Sequence, residues 1–350
     1  MSRAIGNDPG TMFFQTAEKI GNEIVYKTMR NSFVEMDATE DMEQILTQNK
    51  WQYIKDDKKY YILGEDSLRV AKMFPGKVEL RRPMQDGVLN KGEDKKVLVM
   101  TKMLEDAIGK ATDDNSVVCF CVSSESIDSN IDNTFHRARL EGMVKRLGYK
   151  TKVIEEGLAV ILSERPMMIE KDGTESPYSG IGISFGSGRV NCVLAYKGLQ
   201  IIGMSSNRSG DFIDRKVSEQ TDTPLAQVTG LKENKLDFDN MDDEDDVIFA
   251  LDAYYSNMLE YTFKNFASKF SEVKSKFDAP LDIVIAGGTS MPNGFKNKVS
   301  EVIQNLDLPF KVKEIRMAKD VRNAVVKGCL TQAIITQKKM MDTGIEKILE

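Results

Sequence analysis

A chain of 350 residues with 41% hydrophobic content carries apolar material for two cores, which excludes intrinsic disorder. A net charge of -6 and a pI near 5.3 exclude a broad nucleic-acid footprint, and Cys119, Cys121, Cys192 and Cys329, with the single His136, lack the spacing of a zinc site. No apolar run reaches membrane-spanning length and no leader precedes the first strand, so an intracellular, cytoplasmic protein with reduced thiols is expected.

Ala4 to Thr11 reads as a strand entering a turn, with Pro9 and Gly10 in the central positions favoured by a type II turn, and Met12 to Ala17 returns. A carboxylate at the mouth of a turn lined by N–H groups repels phosphate, so Asp8 makes chemical sense with a hydrated Mg²⁺ between them. The alternative is a turn-capping Asp. Residues 32–74 form a small insertion in which Trp51–Ile54 and Tyr60–Leu63 flank a polar turn, with Trp51 expected to pack locally. A helix carrying Val97, Met100, Leu104, Ala107 and Ala111 at helical spacing follows. Val117–Val122 is apolar throughout, the signature of a central strand covered on both faces, and a helix from about Asn130 to Leu147, containing His136 as a packing or surface residue, covers it.

Lys152–Ala159 reads as a strand ending in Glu155 and Glu156 before a helix. A carboxylate at the C-terminal edge of an α/β strand is placed to orient a water, although helix N-terminal charge complementarity explains it equally well. The polar loop from Arg165 to Ser179 marks a domain boundary. Gly180–Tyr196 is a second glycine hairpin, in which Gly186 and Gly188 allow positive φ and let consecutive N–H groups, including that of Ser187, converge on an anion. Two such hairpins half a chain apart point to two related halves. After a third strand, Leu199–Met204, Gly210 and Asp211 open a helix and offer unpaired N–H groups and a carboxylate near the same phosphates, with ordinary capping as the alternative. The acidic run Leu236–Asp246 reads as a solvated loop without EF-hand spacing, and a long helix, 247–273, follows. A third turn comes at Gly287-Gly288-Thr289, between an apolar strand and a helix carrying Phe295, Val299 and Ile303; its glycines let a base or ribose lie against the backbone. A helix from about Val321 to Lys338 and a short amphipathic tail close the chain.

Taken in this order, the motifs resemble the actin-like ATPase superfamily over essentially the whole chain. The stretch from Leu63-Gly64-Glu65 through Arg82-Pro83-Met84-Gln85-Asp86-Gly87-Val88 resembles bacterial actins of the MreB and MamK kind. The resemblance implies an α/β, actin-like two-domain fold, each domain a mixed sheet with helices and a nucleotide cleft between them. Domain I would be 1–150 plus 320–350, with 32–75 as subdomain IB, and domain II 151–319, with subdomain IIB at about 215–275. It implies ATP or ADP with Mg²⁺ held through water by Asp8. Asn7, Gly10, Thr11 and Met12 with Gly186, Ser187, Gly188, Gly210 and Asp211 would hold the phosphates, Gly287, Gly288 and Thr289 would border the adenosine, and Glu156 would position the hydrolytic water. The implied partner is the chain itself, as a homopolymer filament, with an adaptor or cargo protein. No direct nucleic-acid contact is expected, and the polar Lys110–Asn115 argues against the membrane-touching loop of MreB-like proteins. Two departures stand out: Ser184 occupies the position of the second loop's usual Asp, and Gly157 that of the usual Pro. The leading expectation is therefore a filament-forming ATPase, slow in turnover. The alternatives are a non-hydrolysing scaffold of cell-division or pilus-assembly type and a small-molecule kinase.

Overall fold

In the computed structural model, which describes residues 2–89, 94–130, 133–164, 167–169, 173–242, 244–273 and 280–349, the chain opens with an antiparallel meander of β1 (Ala4–Pro9), β2 (Phe13–Ile20) and β3 (Glu23–Arg30). Contacts divide the chain into unit 1, residues 1–120, 132–153 and 332–350, and unit 2, residues 121–131 and 154–331.

In unit 1 the insertion is β4 (Phe33–Asp37), α1 (Glu40–Gln48), β5 (Tyr53–Asp56), β6 (Lys59–Leu63) and α2 (Gly64–Met73). Its three strands pair in the order β4-β6-β5 over a core of Val34, Leu46, Tyr60, Ile62 and Val70, against which Trp51 packs. The Thr39 side chain accepts from Met42 N at 3.2 Å, satisfying a free donor at the start of α1. The hairpin of β7 (Met84–Gln85) and β8 (Val88–Leu89) turns through Asp86 and Gly87, both at positive φ. Along α3 (Asp94–Ile108) the buried stripe is wider than expected: Met100, Leu104 and Ala107 are joined by Val99, Met103 and Ile108, Val97 is half-buried, and Ala111 lies past the helix end. The apolar run becomes β9 (Val117–Val122), buried at every position and parallel to β1. His136, in α4 (Asn133–Arg146), is a packing residue whose Nδ1 accepts from Leu89 N at 3.2 Å. With β10 (Lys150–Glu155) the sheet reads β10-β9-β1-β2-β3.

Unit 2 opens with α5 (Glu156–Glu164) and the short pair β11 (Met167–Ile169) and β12 (Glu175–Pro177), within the stretch expected as a loop; 165–166 and 170–172 of that stretch lie outside the described residues. The second meander is β13 (Gly180–Phe185), β14 (Val190–Tyr196) and β15 (Leu199–Ser206), followed by α6 (Gly210–Thr221), α7 (Leu225–Asn234) and α8 (Asp246–Ser271). Then come β16 (Leu281–Ala286), α9 (Phe295–Gln304), β17 (Val312–Met317) and α10 (Ala324–Leu349), whose last residues belong to unit 1. Helix α10 runs through the stretch expected as a separate tail. The sheet order is β15-β14-β13-β16-β17, with β13 antiparallel to β14 and parallel to β16. This repeats the unit 1 pattern, in which β1 is antiparallel to β2 and parallel to β9. The acidic run is more than a solvated loop, because Leu236 is buried and Phe238 meets Tyr255 edge-to-face with ring centroids 5.0 Å apart, with Asp237 accepting from Asn293 Nδ2 at 3.1 Å; Asp243 lies outside the described residues.

Candidate functional site

The expected site residues fall into two groups, one in each unit. In unit 1, Asn7 and Asp8 end β1, and Gly10, Thr11 and Met12 form the loop to β2. The expected type II turn is absent: Pro9 is still in the strand, and Gly10 does not adopt positive φ. Glycine is required there by space, since a Cβ on Gly10 would lie 2.6 Å from Phe13 O. Asn31, fully buried, fixes the loop from below: its Nδ2 donates to Gly10 O at 2.8 Å and its N to Met12 O at 2.9 Å. Thr11 Oγ1 accepts from Gly87 N at 3.2 Å, so the β7–β8 turn is tied to this loop. Asn7 Nδ2 donates to Gln15 O at 3.0 Å, while Asn7 Oδ1 and Asn31 Oδ1 are buried with no hydrogen-bond partner among the described residues. Buried acceptors of this kind normally find a donor, a water or an ion.

In unit 2 the loop between β13 and β14 has the same length when both are counted between their closing cross-strand pairs. Phe185 pairs with Val190 as Pro9 pairs with Phe14, leaving 10–13 and 186–189, although Phe13 already pairs with Arg30 of β3. Gly186 corresponds to Gly10 in detail: it too avoids positive φ, and its Cβ would lie 2.8 Å from Arg189 O, as that of Gly10 meets Phe13 O. The expectation of positive φ at Gly186 and Gly188 is thus corrected: neither adopts it, and at Gly186 the reason for glycine is the tight return of the chain. By the same register, Ser184 is the counterpart of Asp8.

Two further segments are bound to this loop. The expectation of unpaired N–H groups at Gly210 and Asp211 is corrected: they donate to Gly186 O at 3.2 Å and Ser187 O at 2.8 Å, and Ser209 Oγ donates to Ser187 O at 2.7 Å. These bonds dock the start of α6 on the loop, and the Asp211 side chain is half-buried beside it. From the third turn, Thr289 Oγ1 donates to Gly186 O at 2.9 Å. Gly287 has φ 101° and ψ 151°, and a Cβ there would lie 2.3 Å from Phe185 O, so it joins the turn to the loop. Gly288 is exposed, with open space where its Cβ would be.

Sequence reasoning missed the support beneath these segments. Lys232 and Asp214 form a buried pair at 2.7 Å, Lys232 Nζ donates to Gly210 O at 3.2 Å, and Thr229 Oγ1 donates to Asp214 Oδ2 at 2.8 Å. Tyr255 donates to Thr289 O at 3.1 Å; burial foremost, and then the Asp214 charge, push its hydroxyl far above the ordinary tyrosine range and keep it a donor. These contacts join α6, α7, α8 and the third turn at separations that no periodicity signals.

The two acids differ in surroundings. Glu155 Oε2 accepts a short hydrogen bond from Ser124 Oγ and fills the space beside Gly203, where a Cβ would collide with it. Glu156 begins α5, and its Oε1 accepts a long contact from Ser123 Oγ at 3.4 Å. Gly157 lies against the sheet so closely that a Cβ would be 2.8 Å from Gly182 O and Val193 N. A Cβ on Gly328 of α10 would be 1.8 Å from Ala159 O, so the two helices cross backbone to backbone.

A family model described as Volactin matches residues 3–333. The comparison with curated proteins returns no match. Among solved structures, MreB5 of Spiroplasma citri bound to ADP is similar over 97% of this chain and 99% of its own, with a TM-score of 0.67 at 13% identity. The MamK double helical filament matches over 95% and 99%, with a TM-score of 0.65 at 16% identity. MreB 5 of Spiroplasma citri bound to AMPPNP matches over 99% of both chains, with a TM-score of 0.65 at 15% identity. The fold is therefore the actin-like two-domain α/β fold that these bacterial proteins share.

Proposed function

The chain belongs to the Volactin family, and from that premise we propose that it is an ATP-binding, filament-forming actin-like protein whose nucleotide state controls polymerisation. The observation that carries this reading is the equivalence of two glycine loops of equal length, on sheets of the same strand order, the second of them bound to the 287–289 turn. The MreB5 structures bound to ADP and AMPPNP and the filament of MamK support it by likeness. In this reading 1–150 with 320–350 acts as domain I and 151–319 as domain II.

The residues fit a magnesium nucleotide. The half-buried Asp8 carboxylate and the unpartnered Asn7 Oδ1 are hard oxygen donors suited to a hydrated divalent cation, whose chemistry is to neutralise phosphate charge. Main-chain N–H groups of Gly10, Thr11, Met12, Ser187 and Gly188 hold the phosphates, and Asp211 faces them from the start of α6. Gly288 receives the flat face of the nucleoside, with Gly287 and Thr289 holding it in place. Glu156 orients a water and accepts its proton. The filament is a homopolymer, joined by an adaptor or cargo protein in the cytoplasm and binding no nucleic acid. Among the described residues no helix is long and apolar enough to cross a membrane.

Sedimentation and negative-stain microscopy with and without ATP and Mg²⁺ test the reading. Pelletable filaments that depend on nucleotide are expected, and monomers under every salt and magnesium condition overturn it. A second reading, a scaffold that binds nucleotide without turnover, is favoured by one observation: Ser184 stands where the first loop has its carboxylate. Phosphate release separates the two. Turnover abolished in Glu156→Ala excludes the inert scaffold, and faster release by Ser184→Asp assigns the slow rate to the missing carboxylate.

A further inference from the structure

Arg189 is the last residue of the second loop, and its counterpart in the first is the partly exposed Phe13. Its carbonyl accepts from Gly186 N at 2.9 Å and closes the loop. Its side chain, with the residue only 2% exposed, leads away from the loop, donating to Ser205 Oγ at 2.7 Å and Ser129 Oγ at 3.4 Å. Ser205 Oγ donates in turn to Ser124 O at 2.8 Å. The main chain of Ser205 fastens the same segment, its N donating to Glu125 O at 2.7 Å and its O accepting from Ile127 N at 2.9 Å. Ser124 N donates to Asn191 Oδ1 at 3.0 Å, and Asn191 is the cross-strand partner of Ser184. Ser124 and Ser123 then meet the acids, Ser124 at Glu155 and Ser123 at Glu156. All of these residues belong to unit 2.

A buried guanidinium costs desolvation, and its planar fork holds partners in fixed directions in a way that a flexible ammonium does not. At the end of a phosphate loop such a group would be expected to face the loop's ligand. Here it faces the segment that carries the serines of the two glutamates.

We infer that Arg189 is a positioning residue for Glu156: its side chain fixes the Ser123–Ser124 segment through Ser205, and that segment aims the Glu156 carboxylate, while its carbonyl closes the phosphate loop. The inference rests on the proposed part of Glu156 in turnover. One residue thereby ties the shape of the loop to the aim of the acid, by two chemically separate groups.

The test is phosphate release at saturating ATP and Mg²⁺, alongside titration with a fluorescent ATP analogue, for the parent chain and for Arg189→Met, Arg189→Lys, Ser205→Ala and Glu156→Gln. Misplacing a reacting group by about an ångström costs up to about a hundredfold in rate, so Arg189→Met is expected to lower kcat about tenfold or more. Its nucleotide affinity should stay within about threefold of the parent, the signature of an interaction that does not hold the ground state. Arg189→Lys, which keeps one charged donor, should fall between. Ser205→Ala leaves the Arg189 carbonyl in place and should repeat the loss in kcat, which keeps the test open if Arg189→Met fails to fold. A parallel loss of affinity in Arg189→Met and Ser205→Ala, as a collapsed loop would give, overturns the inference. So does an unchanged kcat in Ser205→Ala. Glu156→Gln reports separately: turnover equal to the parent's overturns the reading of Glu156 itself, whatever Arg189 does.

Discussion

Gly287 and Gly288 are neighbours with opposite demands. Gly287 occupies a backbone region essentially closed to other residues, where strain is of order 1–3 kcal/mol, and a side chain would also strike the Phe185 carbonyl at 2.3 Å. Gly287→Ala is therefore expected to destabilise the fold by about 3 kcal/mol in urea melts, the strain and the collision adding. Gly288→Ala meets nothing and should leave the melt within about 0.5 kcal/mol, as surface substitutions do, while weakening nucleotide binding if the nucleoside lies on that face. The buried pair gives a harsher case. Asp214→Asn leaves Lys232 charged in a site with side-chain exposures of 8% and 4%, and losing one partner of such a pair costs about 3–5 kcal/mol. At this scale the sequence disclosed the glycine turns and the acids before α5, because turn chemistry and strand ends are local. It did not disclose Lys232, Asp214 or Asn31, whose partners lie many residues away along the chain. It also misjudged Gly10 and Gly186, where closeness of the returning chain, rather than φ, demands glycine.

Between elements, the crossing of α5 with the sheet and with α10 is built from missing side chains. Gly157 meets Gly182, whose own Cβ would lie 2.3 Å from Gly157 O, and Gly328 meets Ala159. Alanine is normally better than glycine inside a helix by about 1 kcal/mol. At Gly328 the added methyl would overlap a carbonyl at 1.8 Å, and overpacking costs about 1–3 kcal/mol, so Gly328→Ala is expected to lower the melting temperature in calorimetry rather than raise it. Gly157→Ala should likewise destabilise, since a Cβ there meets Gly182 O and Val193 N at 2.8 Å. Read from sequence alone, Gly157 is only a departure from an expected Pro. In the fold it is the condition for α5 to lie on the sheet at all. Strands and helices themselves were largely legible: β9 and β16 as short apolar runs, and α8 as a long helix whose Leu251, Tyr255 and Met258 are buried. The continuation of α10 to Leu349 and the hydrophobic anchoring of the acidic run at Leu236 and Phe238 were not, because isolated apolar residues in polar surroundings carry little periodic signal.

For the whole molecule, the cysteines serve as reporters of opening. Cys119 lies in unit 1 and Cys121, Cys192 and Cys329 in unit 2, all of them buried and outside any disulfide; desolvation pushes the Cys192 thiol far above its ordinary value. The native chain is expected to resist alkylation at pH 8 at all four positions, and peptide mapping after partial denaturation should show which unit opens first. Saturating nucleotide at a hundred times its Kd should slow this labelling by the equivalent of about 2.7 kcal/mol, the mass-action gain of a ligand that binds only the folded state. Labelling that ignores nucleotide would count against the proposed site.

The division of the chain also bears on its birth at the ribosome. Unit 2 is complete once residue 331 has emerged, whereas unit 1, although it holds the N-terminus, draws on residues 332–350. From that segment Gln337 Nε2 donates to Arg3 O at 3.1 Å and Asn115 O at 3.0 Å, pinning α10 to the backbone beside β1 and β9. The half translated first thus waits for residues 332–350, which follow all of unit 2, before it closes. Nascent chains exposed only as far as residue 331 should carry a folded second half and a first half still open to protease or chaperone.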